Sequence, residues 1–109
     1  MALAVTVPDL LEMIIGERLD LTIDFTNLVA PGDVISVPIV TIESIGVNEF
    51  VPTAIIGAPF VSNSVMMNIT VSSAPLRPGT TYVAMFAAVA TGGGSTKNVA
   101  AQLKIRVVY

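Results

Sequence analysis

Cysteine is missing from this chain, which excludes a disulfide framework and thiolate chemistry. Histidine is missing as well, and with it the commonest general base and metal ligand. Charge is scarce: 12% of the 109 residues are Asp, Glu, Lys or Arg, about half the usual ~25%. The net charge is −3, and the five bases, Arg18, Arg77, Lys97, Lys104 and Arg106, are scattered. Phosphate neutralisation needs clustered Lys and Arg, so nucleic acid is not expected as a partner. No apolar run reaches the ~18 to 20 residues that a membrane-crossing helix requires, so no membrane partner is expected either. Residues 1–16 are oily but lack a basic leading region, and Pro8, Asp9 and Glu12 interrupt the run. A signal peptide is not built this way.

What is present in quantity is oil. Apolar residues make up 53% of the chain, yet a domain of this size buries only roughly 65% of its extended surface. Some of that oil is therefore expected on the outside, and exposed apolar area beyond a few hundred Å² normally marks a partner site. The expectation is a subunit that packs against others. The charges are also unevenly distributed. Residues 1–50 hold all eight acids and Arg18, 1 − 8 = −7, while residues 51–109 hold four bases and no acid, +4. Two readings stay open: strands from the two halves interleave, or an acidic face of one subunit meets a basic face of the next. Salt dependence of assembly distinguishes them.

Period-two alternation dominates the chain. Leu19, Leu21, Ile23 and Phe25 alternate with Asp20, Thr22, Asp24 and Thr26, the pattern of a strand with one buried face. Ala30-Pro31-Gly32-Asp33 reads as a turn. Val34 to Glu43 is a β-branched strand in which Pro38 demands an edge or a bulge. A short strand is expected over Val51 to Gly57, and an alternating one over Ser64 to Ser72. Thr81 to Ala90 and Val99 to Tyr109 follow, joined by a flexible loop from Thr91 to Asn98. Asp9 to Ile15 has the makings of one or two helical turns, or of an extended arm. Short strands every ~8 to 12 residues between Gly and Pro turns predict an all-β antiparallel sandwich. Its expected core is Leu21, Ile23, Phe25, Ile35, Val65, Met67, Ile69, Tyr82, Phe86, Leu103, Ile105 and Val107. The expected division is an arm or first strand over 1–16 and the sandwich domain over 17–109.

The sharpest local pattern is Leu76-Arg77-Pro78-Gly79-Thr80-Thr81-Tyr82. A Pro-Gly turn leading a Tyr into a strand predicts a structural tyrosine corner at Pro78, Gly79 and Tyr82, in which the phenol bonds backbone a few residues upstream. Gly92-Gly93-Gly94-Ser95-Thr96-Lys97 lacks the spacing of a phosphate loop and leads into a strand. Asp20 and Asp24 lie four residues apart along one strand, roughly 13 Å. That is too far to share a metal ion or to form a glycosidase carboxylate pair. The sequon Asn68-Ile69-Thr70 falls inside a strand. No Ser or Thr has a base to activate it, so no catalytic, cofactor-binding or metal-binding residue is nominated, and no cofactor.

Over residues 19 to 109 the chain resembles small immunoglobulin-like virion proteins of tailed bacteriophages. The likeness rests on Leu19-Asp20-Leu21-Thr22-Ile23-Asp24-Phe25, Leu28-Val29-Ala30-Pro31-Gly32-Asp33-Val34-Ile35 and Pro78-Gly79-Thr80-Thr81-Tyr82. Thr91-Gly92-Gly93-Gly94 and the closing Leu103-Lys104-Ile105-Arg106-Val107 complete it. Where that family often carries Trp, near positions 25 and 39 to 41, this chain has none. The resemblance implies an immunoglobulin-like fold and a non-enzymatic structural role in the virion, assembled in the host cytoplasm. A capsid decoration protein that forms a homo-oligomer on a major capsid or other virion protein is the leading expectation. A tail or head-fibre component, or a fibronectin-like adhesion or carbohydrate-binding module, is the alternative. The apolar N-terminal segment, Leu3, Val5, Val7, Leu10, Leu11, Met13, Ile14 and Ile15, is nominated as a subunit interface, against the alternative that it packs on its own core.

Overall fold

A computed structural model describes residues 2–5, 9–47 and 49–109, with side chains from residue 10 onward. Among the described residues, eight strands form two sheets: β1 (Ala2–Val5), β2 (Asp9–Ile14), β3 (Arg18–Asp24), β4 (Val34–Ser44), β5 (Ile55–Ser62), β6 (Met66–Ser72), β7 (Thr81–Gly92) and β8 (Ser95–Val108). The first sheet is ordered β1-β3-β6-β5 and the second β2-β8-β7-β4. Apart from the added edge strand β2, this is the strand order of an immunoglobulin constant-type sandwich. The longer strands all pair antiparallel. The N-terminal edges differ: β1 runs parallel to β3, and β2 parallel to β8.

Alternation builds the core. Leu19, Leu21 and Ile23 of β3 point inward and meet Met67, Ile69 and Val71 of β6 and, from the other sheet, Phe86, Leu103 and Ile105, all buried. Of the expected core only Val65 is half-buried. It follows Asn63 and Ser64, both at positive φ (48° and 67°), so it belongs to the turn before β6 rather than to the strand. Pro38 has both consequences expected of it: β4 is an edge strand, and its register slips between Ser36 and Ile39, with Val37 at φ 52°.

Three expectations need correction. The strand expected over Val51 to Gly57 is displaced. Pro52 begins a single 3₁₀ turn, Pro52–Ala54, and β5 runs from Ile55 to Ser62. Proline at the first position of a helical turn lacks only a donor that would be orphaned anyway. β5 survives Gly57 (φ 75°) and Pro59 because it is an edge, where its register breaks between Ile56 and Phe60. The flexible loop over Thr91 to Asn98 is also absent. β7 and β8 stay paired up to Gly92 and Ser95 and are joined by Gly93-Gly94 alone, at φ 56° and 78°. Two successive left-handed residues make the turn whose twist matches a hairpin. Finally, the helical turns considered over Asp9 to Ile15 do not form: Asp9–Ile14 is an edge strand of the second sheet, the strand alternative offered for residues 1–16.

Candidate functional site

The turn before β7 is a tyrosine corner in its geometry. The Tyr82 hydroxyl, on a buried ring, accepts the Arg77 backbone N–H at 2.9 Å. Gly79, at φ 80°, places its N–H 2.7 Å from the Val107 carbonyl. Pro78 sits between them, half-buried. The corner locks the start of β7 against the end of β8 and offers no reactive group.

A second tie has no signature in the sequence. Ser73 is fully buried; its hydroxyl donates to the Ile14 carbonyl (2.6 Å) and accepts the Glu17 N–H (2.9 Å), while its own N–H donates to the Glu17 carbonyl (2.9 Å). One serine thus fastens the turn between β2 and β3 to the end of β6. Nothing in Ser72-Ser73-Ala74 distinguishes it from an ordinary polar turn.

The nominated N-terminal interface is split by the pleat of β2. Met13 is fully buried and Leu11 packs half-buried against the core, so these two are core residues and not surface. Leu10 and Ile14 face outward at 54% and 56% exposure, and Ile15 beyond them is exposed. Val7 lies outside the described residues. Leu3 and Val5 sit in β1, in register with Leu21 and Ile23.

The two sheets present opposite surfaces. The outer face of the first is polar around one exposed aromatic, Phe60, in register with Asn68: the Thr70 hydroxyl donates to Asp20, and Thr22 donates to Asn68 (2.8 Å), whose amide donates to Ser62 (2.8 Å). Asn68 of the sequon is thereby a member of a side-chain ladder. Asp24 is held by the hydroxyl and N–H of Thr26, and these hydrogen bonds lower its pKa from the ordinary 3.8. Asp33 closes the Ala30–Asp33 turn and packs on Gly92. Among the described residues no group of three or more acids converges on a metal-sized space.

The outer face of the second sheet is apolar along its centre and polar or charged on either side. Val83, Met85, Ala87 and Val89 of β7 run up its centre, each half-buried. Ile39 of β4 lies beside Ala87, and Phe50, bridged to Glu43, extends the face past β4; they are 53% and 63% exposed. Phe50, Thr41, Glu43, Val83 and Met85 line one shallow depression. On the far side, β8 contributes Gln102, Lys104 and Arg106, with Leu10 and Glu12 of β2 next to the last two. Of the eleven exposed large apolar side chains among the described residues, Leu10, Ile14, Val34, Ile39 and Phe50 lie on or beside this face.

No family model matches the chain, and no curated protein matches it. Among solved structures it is similar to the solution structure of Amebosin, at 15% identity, covering 98% of each chain with a TM-score of 0.39. A likeness at that level carries no argument about fold or function. The architecture defines the class: an all-β, two-sheet sandwich.

Proposed function

We propose that this chain is a non-enzymatic structural subunit of a tailed-phage virion, a capsid decoration protein that assembles with copies of itself on a major capsid or other virion protein. One observation carries the self-assembly: among the described residues, eleven large apolar side chains stand exposed. That is many for a small monomer, and five of them, Leu10, Ile14, Val34, Ile39 and Phe50, lie on or beside the outer face of the second sheet. The immunoglobulin-like strand order and the phage-like turn motifs support the virion setting. Fold alone does not fix function, so the setting is tested separately from the assembly.

Two measurements do this. Native mass spectrometry of the purified chain is expected to show a multiple of 11.3 kDa; a monomer at millimolar concentration overturns the assembly. Co-expression with the capsid-shell gene from the same genome is expected to leave the chain bound to shells through a density gradient. Shells that sediment without it, or a gene neighbourhood lacking shell and portal genes, overturn the decoration role.

A further inference from the structure

The outer face of the second sheet carries its apolar and charged residues in a symmetric row. Glu43 pairs in register with Val83, Val83 with Lys104, and Lys104 with Leu10, while Phe50 bridges Glu43 on the other side. Residues in register point to the same side of a sheet, so the row reads Phe50, Glu43, Val83, Lys104, Leu10 across five neighbouring backbones. Charge of one sign stands one strand to the left of Val83, charge of the other sign one strand to the right, and a large apolar side chain lies outside each. Glu43 and Lys104 are two strand spacings apart, about 10 Å, with Val83 standing between them.

We infer that this face pairs with the same face of a second copy, about a two-fold axis parallel to β7 that passes over Val83. The inference rests on the self-assembling reading above and specifies its interface. Such an axis exchanges left and right at constant height. It sets Val83 on Val83, Glu43 of each copy over Lys104 of the other, and Phe50 of each over Leu10 of the other. Met85 and Ala87, higher in the same central column, meet their own counterparts. The other axis lying in the face, perpendicular to the strands, would set Glu43 over Glu43 and Lys104 over Lys104, a like-charge arrangement that is strongly disfavoured. The charges therefore choose the axis. Isologous two-fold contacts are the commonest way for copies to associate, and aligned sheets pack face to face in the same manner. From Thr81 to Val89 the face is roughly 27 Å long; β4, β7 and β8 span about 14 Å, β2 widens it only opposite Thr81–Ala84, and Phe50 only beside Glu43. That flat area, on the order of 450 Å² per copy, is that of a small interface below ~1,200 Å² in total, in which charge complementarity sets the pairing.

The chain's lack of cysteine makes the test clean. Stacked sheets lie about 10 Å apart, beyond disulfide reach, so a Val83→Cys variant is expected to be joined into a covalent dimer by a short bis-maleimide spanning about 8 to 10 Å, whereas Thr70→Cys, on the polar face, is not. Glu43→Lys and Lys104→Glu are each expected to weaken self-association at least tenfold, since either puts like charges together twice per dimer. Mixing the two variants restores association, because each then supplies the charge the other lacks, and the double variant associates like the parent. Circular dichroism melts show that the variants remain folded. If the parent is multimeric, yet Val83→Cys cross-links no faster than Thr70→Cys and the reversals change nothing, this interface is wrong while the assembly reading stands. A monomeric parent overturns both.

Discussion

Replacing Tyr82 by Phe removes one oxygen and leaves the ring, so it isolates the hydrogen bond that closes the corner before β7. That oxygen accepts the Arg77 N–H at 2.9 Å, and the tyrosine is only 3% exposed. The substitution leaves the N–H facing an apolar edge, with water its only replacement acceptor. A part-buried bond of this kind contributes about 1.5 kcal/mol. Globular proteins unfold with an entropy of about 2.1 cal/mol/K per residue, close to 230 cal/mol/K for this chain, so Tm should fall by roughly 6 to 7 °C. Urea unfolding followed by circular dichroism measures the same quantity independently: the midpoint should move and the slope should not, because the buried area is unchanged. A loss below about 0.5 kcal/mol would refute the role assigned to the phenol. Water would then replace it, and the corner would be held by Gly79 and Leu76 packing instead.

Other substitutions probe other links. Ser73→Ala strips the hydroxyl that bonds both Ile14 and Glu17 and should cost about 2 kcal/mol, read by chemical denaturation; a neutral result would show that the β2–β3 turn holds itself. Gly92→Ala would place a methyl 2.0 Å from the Asp33 carboxylate oxygen, so the turn at residues 30–33 must shift, at about 1 to 3 kcal/mol. The penalty should shrink by half or more in an Asp33→Ala background, since the carboxylate supplies the nearest atoms. Asp24 has its pKa lowered first by the Thr26 hydroxyl and then by the Thr26 N–H. A group depressed in the folded state adds stability that is whole above its unfolded value and lost as pH falls through the folded one. Thr26→Val should therefore raise the Asp24 pKa in an NMR titration and flatten the acid limb of stability below about pH 4; an unmoved Asp24 resonance would refute this.

The strands that form cleanly are those whose alternation is unbroken. Leu19 to Phe25 and Met67 to Val71 announce in sequence both their extent and their buried side. The tyrosine corner is legible for a similar reason, since a Pro-Gly turn before a strand-entering Tyr has a local mechanism. Where local chemistry and partnership disagree, partnership decides. Gly92 to Asn98 is composed like a loop, but β7 continues to supply a ladder for it, and only two glycines are needed to turn. Asp9 to Ile14 is short and carries two acids, and its extended form depends on β8 offering an open parallel edge, which no local signal reveals. The apolar face is legible as an amount and not as a place. Val83, Met85, Ile39 and Phe50 come from three separate segments, and only the register of β4, β7 and β8 makes them neighbours.

Breaks in two of the four edge strands restrict how copies can join. β4 slips at Val37-Pro38 and β5 at Gly57 to Pro59, so neither rim offers a long unbroken row of amides to a newcomer. Growth by edge addition, the route to ribbons and fibrils, is obstructed at these two rims, one in each sheet. A chain this rich in apolar residues is thereby turned away, at one rim of each sheet, from running on into insoluble threads.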